Sequence, residues 1–234
     1  MPETMYGFQI CTIFLKSSHL HRIFTVSKLN DFKIVISGRD DQGELQILLE
    51  AEGKDQSEIY QKLELKLQNL KLFVNLYFHD QIEIKARYSP EVFGNKEYRD
   101  ESLSDTLNVL QNEKNLSAYL ERRYTQQHTL LENALDELQR GDIFNAFPKL
   151  VNWLDDNDRK GSSRFCCIRD ASSHGKLDAN RALKAINEKF PDEFEIEDNI
   201  LKRNSEKNKE RLNHYLPEVL EHVRRIFREK YINS

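Results

Sequence analysis

The chain has 234 residues, 38% of them apolar and 32% charged, with a formal net charge of −4. That length supports one or two domains with real cores, and the composition excludes a wholly disordered chain. The acidic balance excludes a protein that coats nucleic acid by charge alone, while leaving room for one local basic groove. Residues 1–92 read as a mixed α+β domain. Phe8–Leu15 and Phe32–Ile36 carry the β-branched and aromatic residues of strands. Gly38–Gly43 reads as a turn into a further strand at Glu44–Leu49, making a hairpin. From Asp55, a helix N-cap candidate, Ile59, Leu63, Leu67 and Leu70 recur at helical spacing to about residue 78. Leu63, Leu65 and Leu67 also alternate, so a strand competes with that helix on period alone. Ile82–Tyr88 reads as a closing strand. The histidines of this half (His19, His21, His79) are scattered and read as surface residues, and no phosphate-binding glycine loop is present.

Residues 93–120 are polar and read as a linker with short helices around Leu103–Leu110 and Leu116–Leu120. Over 121–234 the period turns helical, and an antiparallel bundle of four or five helices is expected. Tyr124, Leu130, Leu131, Ala134, Leu135 and Leu138 mark the first apolar face, with Gly141 as its stop. Asp142 can cap the next helix, whose apolar positions are Ile143, Phe147, Leu150, Val151 and Leu154. Asp155–Ser163 reads as a polar connection, with Ser162 or Ser163 as cap of the helix that follows. Ala179–Phe190 is another helix, stopped by Pro191. After the acidic stretch Asp192–Asp198, Asn204 or Ser205 caps a long last helix with a stripe of Leu212, Leu216, Val219, Val223, Ile226 and Phe227. Pro217 predicts a kink or a division in that helix.

Within this half lies Phe165-Cys166-Cys167-Ile168-Arg169-Asp170-Ala171-Ser172-Ser173-His174-Gly175. Arginine offers a permanently charged, forked phosphate ligand, and histidine can move protons near neutral pH. Together they supply what a metal-free phosphodiester cleavage requires. Arg169 and His174 are five apart, about 140° on an ideal helix, so they meet only near a helix end or bend. The same spacing occurs at Arg123–His128, which reads as a pair of surface residues on the first bundle helix. Ser172 and Ser173 can donate to a phosphate, but small polar residues near a helix end more often cap or pack. Cys166 and Cys167 read as core.

Arg169-Asp170-Ala171-Ser172-Ser173-His174, set after two amphipathic helices and before a long terminal one, resembles the signature of the HEPN (higher eukaryote and prokaryote nucleotide-binding) superfamily. The resemblance covers roughly residues 120–232 and leaves the first half unassigned. It implies that Arg169 binds the scissile phosphate. It implies that His174 acts as general base on the ribose 2′-hydroxyl or as general acid to the leaving oxygen, and that Asp170 orients one of them. It further implies a metal-independent, cofactor-free endoribonuclease of toxin or defence type. Such cleavage leaves a 2′,3′-cyclic phosphate at a site shared by a homodimer, with a neutralising or regulatory protein as a further partner. The competing reading is a non-catalytic bundle that binds RNA, a nucleotide or a protein, with Arg169–Asp170 a structural ion pair.

Lys202, Arg203, Lys207, Lys209 and Arg211 cluster at the start of the last helix, and Arg224, Arg225, Arg228 and Lys230 near its end. Glutamates interleave with them, so a solvated face is the plain reading; Arg203, Lys207 and Arg211 are the candidates for guiding RNA. Three cysteines, two adjacent, make neither a disulfide framework nor a zinc-ligand spacing. No signal peptide or membrane-length apolar run is legible, so a reduced, cytoplasmic protein with no membrane partner is expected.

Overall fold

The computed structural model describes residues 4–16, 34–39, 42–78, 82–86, 91–93, 119–172, 179–198 and 200–232. Its class is α+β, and the chain divides into two compact units, Met1–Tyr124 and Thr125–Ser234.

In the first unit the elements run β1 (Met5–Lys16), β2 (Ile34–Arg39), β3 (Gln42–Gly53), α1 (Gln56–Phe78), β4 (Ile82–Ala86) and β5 (Glu91–Phe93). The described strands form an antiparallel sheet in the order β2-β3-β1-β4, with β5 also paired to β1. β1 and β3 pair along their whole length, from Met5↔Gly53 to Lys16↔Gln42. The β2–β3 ladder includes Gly38↔Gly43 and Arg39↔Gln42, so both glycines read as turn residues belong to the strands. β3 and β4 are both antiparallel to β1, so α1 carries the chain from one side of β1 to the other while packing over β1 and β3.

The helix wins over the alternating pattern at 63–67 because Ile59, Leu63, Leu67 and Leu70 all bury on one face. Asp55 caps it by accepting the Glu58 N–H at 2.9 Å, and the Glu58 carboxylate accepts the Lys54 N–H at 2.9 Å. Asn69, fully buried on α1, donates Nδ2–H to the carbonyls of Leu120 (3.0 Å) and Arg122 (2.8 Å). These bonds engage backbone carbonyls at and just after the helical residues 119–120, where the chain leaves helical conformation. The helix read around Leu103–Leu110, the strand end at 87–88, and His19, His21 and His79 lie outside the described residues.

The second unit contains α2 (Gln126–Gln139), α3 (Ile143–Asn157), the single turn α4 (Arg159–Ser162), α5 (Cys166–Ser172) and α6 (Ala179–Lys189). A small hairpin of β6 (Ile196–Glu197) and β7 (Ile200–Leu201) precedes α7 (Glu206–Phe227), which widens into a π turn at Arg228–Ile232. α2 begins later than its apolar pattern suggested. Thr125 is its N-cap and Tyr124 lies outside it; the buried face is His128, Leu131, Ala134 and Leu135, while Leu130 is 39% exposed. Gly141 adopts φ +78°, the left-handed conformation that ends a helix. Asp142 accepts the Asn145 N–H at 3.1 Å to start α3, and Ser205 accepts the Asn208 N–H at 3.2 Å to start α7. The first strand of the hairpin falls in the stretch read as an acidic excursion and the second just after it, and Asn208 pins the entry to the hairpin through bonds to the Glu195 N–H (2.6 Å) and the Glu195 carbonyl (2.7 Å).

Two expectations are corrected. Pro217 does not divide α7, which is continuous from Glu206 to Phe227; the proline is exposed, so its missing N–H falls on the solvent side. The bundle is not antiparallel throughout. α2 and α3 are antiparallel, tied by the Trp153 indole N–H to the Gln127 carbonyl (3.0 Å) and by Lys149–Glu137 (2.9 Å). α3 and α7 run the same way: Arg203 meets Asn145 at their starts, whereas Arg225 meets Asp158 and Lys230 meets Asn157 at their ends. The chain returns through α4, α5, α6 and the hairpin before α7 begins, which permits the parallel alignment.

Candidate functional site

α5 is short, and burial rather than length holds it. Phe165, Cys167, Ile168 and Ala171 are buried, and the Phe165 ring meets Phe147 and Tyr215 with centroids 5.9 Å away in each case. This anchoring presents Arg169 and Asp170 at the partly exposed edge. The Arg169 Nε–H donates to Asp170 Oδ1 and its Nη1–H to Asp155 Oδ2, each at 2.8 Å. Asp170 thus orients the guanidinium, but Asp155, in the last turn of α3, holds it equally. The other Asp155 oxygen accepts the Ser162 hydroxyl at 2.9 Å and lies 3.8 Å from Cys166 Sγ. Ser162 is therefore a donor to Asp155 and not the cap of α5.

The electrostatics follow from these bonds. The Arg169 N–H holds the Asp155 carboxyl below its ordinary value, against the opposing effect of burial. Burial works against the charge on Arg169, and the two carboxylate bonds outweigh it, so the guanidinium stays charged. Burial pushes the Cys166 and Cys167 thiols up, which disfavours a nucleophilic thiolate at either position. The Ser172 hydroxyl donates to the Ile168 carbonyl at 2.7 Å, a bond internal to α5. Ser173, His174 and Gly175 lie outside the described residues, so of the candidate site residues in the motif the described ones are Arg169, Asp170 and Ser172.

Arg203, Lys207 and Arg211 are exposed. Arg203 Nη2–H donates to Asn145 Oδ1 at 3.0 Å, in the first turn of α3, and Arg211 lies 4.0 Å from Glu193. Asn145 and Asp155 are ten residues apart on α3, about 15 Å of helical rise. From α7 and the turn that follows it, Arg225 and Lys230 reach the Asp155 end of α3, bonding Asp158 and Asn157. Arg225 and the Gly161 N–H both bond Asp158, which is lowered from its usual range chiefly by the Gly161 N–H.

The second Arg-x4-His pair corrects its sequence reading. Arg123 is exposed as expected, but His128 is only 2% exposed. His128 Nδ1 accepts the Thr125 N–H at 3.2 Å and lies 2.6 Å from the Thr125 hydroxyl, and its ring packs at a tilt of 58° against Tyr231 with centroids 4.6 Å apart. A backbone N–H can only donate, so Nδ1 carries no proton, and the histidine serves the start of α2. Thr125 and His128 have the N-cap and N3 spacing of a capping box, and that was the available sequence signal. Asp155 escapes a sequence reading because it opens the polar run Asp155–Ser163, which has the composition of a connection. It is four residues beyond Val151 and eight beyond Phe147, on the flank of the buried stripe of α3.

Among the described residues no group of three or more His, Cys, Asp or Glu side chains is placed to hold a metal ion, and no helix is long and apolar enough to cross a membrane. No known protein family, curated protein or solved structure matches this chain.

Proposed function

We propose that the second unit is a HEPN-like RNA-cleaving module, active as a homodimer, with Arg169 as phosphate ligand and His174 as the group that moves the proton. The observation that carries this reading is the setting of Arg169: a permanently charged guanidinium at a helix edge, oriented by two carboxylates at 2.8 Å, in the helix that leads into Ser173-His174. A cation fixed before substrate arrives stabilises developing negative charge without reorganising during the reaction. His174 then removes the 2′-hydroxyl proton or protonates the leaving oxygen, and two copies in one dimer supply both transfers. Toxin- or defence-type activity, cytoplasmic location and restraint by a protein partner belong to the same proposal. Arg225 and Lys230, which reach the Asp155 end of α3, are the natural cations to lead RNA to this site.

The test is RNA cleavage in EDTA by full-length Arg169→Ala and His174→Ala proteins. Loss of a positioned proton-transfer group lowers the rate by about a hundredfold or more. Unchanged cleavage by both folded variants sinks the proposal. One observation favours a second reading: Asp155 and Asp170 between them offset the charge of Arg169, as in a structural ion pair. A non-catalytic module that binds RNA, a nucleotide or a protein would then leave no cyclic-phosphate product with wild-type protein.

A further inference from the structure

The parallel run of α3 and α7 brings their first turns side by side, and an open cavity of about 400 Å³ lies between them. Its lining includes Arg140 from the end of α2, Arg203 from the chain entering α7, and Lys209 from the first turns of α7. Three cations from two distant parts of the sequence therefore converge on one concavity. Two of them have no carboxylate partner among the described residues: the Arg140 guanidinium is exposed and makes no described bond, and Arg203 bonds only the neutral amide oxygen of Asn145, at 3.0 Å. Lys209 is 3.9 Å from Glu206, whose side chain is 81% exposed. The other acid in the lining, Asp142, is turned onto its own helix, accepting the Asn145 N–H at 3.1 Å and Asn145 Nδ2–H at 2.6 Å. The positive ends of the α3 and α7 dipoles add to the same field and the negative end of α2 opposes them, so the three cations carry the attraction.

Uncompensated guanidinium groups around a cavity suit a ligand with several acceptor oxygens on one centre, since a forked donor can bond two of them at once. We propose that this cavity binds a phosphate monoester, carried either by a free nucleotide or by the end of an RNA strand. The site uses neither Arg169 nor His174, so it stands apart from the cleavage proposal.

Titration calorimetry on the full chain at fixed ionic strength, with inorganic phosphate, 5′-AMP, and RNA oligomers bearing a 5′-phosphate or a 5′-hydroxyl, tests it. Saturable phosphate binding is expected, and Arg140→Glu and Lys209→Glu should each weaken it by about tenfold or more, the loss of a charge-assisted bond. Tighter binding of 5′-AMP than of phosphate assigns the free nucleotide, and preference for phosphorylated over hydroxyl RNA assigns the strand end. The Arg140 side chain is exposed and makes no bond among the described residues, and the bonds of its backbone N–H to the Asp136 and Leu138 carbonyls survive replacement of the side chain, so the fold stays in place. Absence of saturable phosphate binding, or equal affinity in wild type and both charge-reversed variants, overturns the proposal.

Discussion

Asp155→Asn isolates what the carboxylate on α3 does for the Arg169 site. The asparagine keeps the size of the side chain and an acceptor for the Ser162 hydroxyl, which Asp155 now accepts at 2.9 Å. It replaces the oxygen that faces Arg169 Nη1 at 2.8 Å with a neutral oxygen or with an NH₂ that meets a donor. A charge-assisted hydrogen bond contributes about 1.5–3 kcal/mol. Arg169 retains Asp170, and the Asp155 side chain is 31% exposed, so solvent screening brings the loss to the low end of that range or just below it, about 1–2 kcal/mol. Urea unfolding followed by Trp153 fluorescence reads the second unit specifically, because the chain has one tryptophan and it is buried on α3. The midpoint should fall at pH 7 with the slope unchanged. The Arg169 bond holds the Asp155 carboxyl lower in the folded protein than in the unfolded chain, so its contribution is present above the unfolded pKa and is lost as pH falls through the folded one. The gap between wild type and Asp155→Asn should therefore narrow below about pH 4. An unchanged midpoint at pH 7, or a gap that persists into acid, refutes the ion-pair account.

The two members of the Arg123–His128 pair should behave oppositely. His128→Ala removes an N-terminal hydrogen-bond acceptor and a ring packed on Tyr231 and Phe227, and should destabilise the second unit by about 2–4 kcal/mol in urea; Arg123→Ala should stay within about 0.5 kcal/mol of wild type. Gly141→Ala has room for its Cβ, with no atom within 4 Å, yet must hold φ +78°, so it should cost about 1 kcal/mol, with Gly141→Asn costing less. An equal cost for both would remove the left-handed conformation as the reason for glycine.

Sequence period was a good guide wherever one buried face decides an element. Ile59, Leu63, Leu67 and Leu70 placed α1, and Ile143, Phe147, Leu150, Val151 and Leu154 placed α3, with Asp55, Asp142 and Ser205 capping as their residue types suggest. What period cannot carry is direction and non-local pairing. Nothing local to α3 or α7 states that they run parallel, because that depends on how α4, α5, α6 and a hairpin of two-residue strands consume the chain between them. The β6–β7 strands escape for the same reason: two residues each is too short for alternation to register.

The two Arg-x4-His segments make the point about sites. Both match one pattern, yet the structure gives the two arginines different surroundings. Arg123 is exposed, whereas Arg169 is fixed by Asp170 next to it and by Asp155, fourteen residues earlier. The neighbouring aspartate is legible in the motif; the distant one depends on α3 and α5 packing together. That second carboxylate sharpens the chemistry. A phosphate approaching Arg169 meets a cation whose orientation is settled but whose charge is already shared, so binding there must add acceptors to the guanidinium without displacing Asp155, or displace it at the cost of the ion pair. RNA binding to Asp155→Asn separates these outcomes, since removing a competitor strengthens phosphate binding whereas removing an orienting group weakens it.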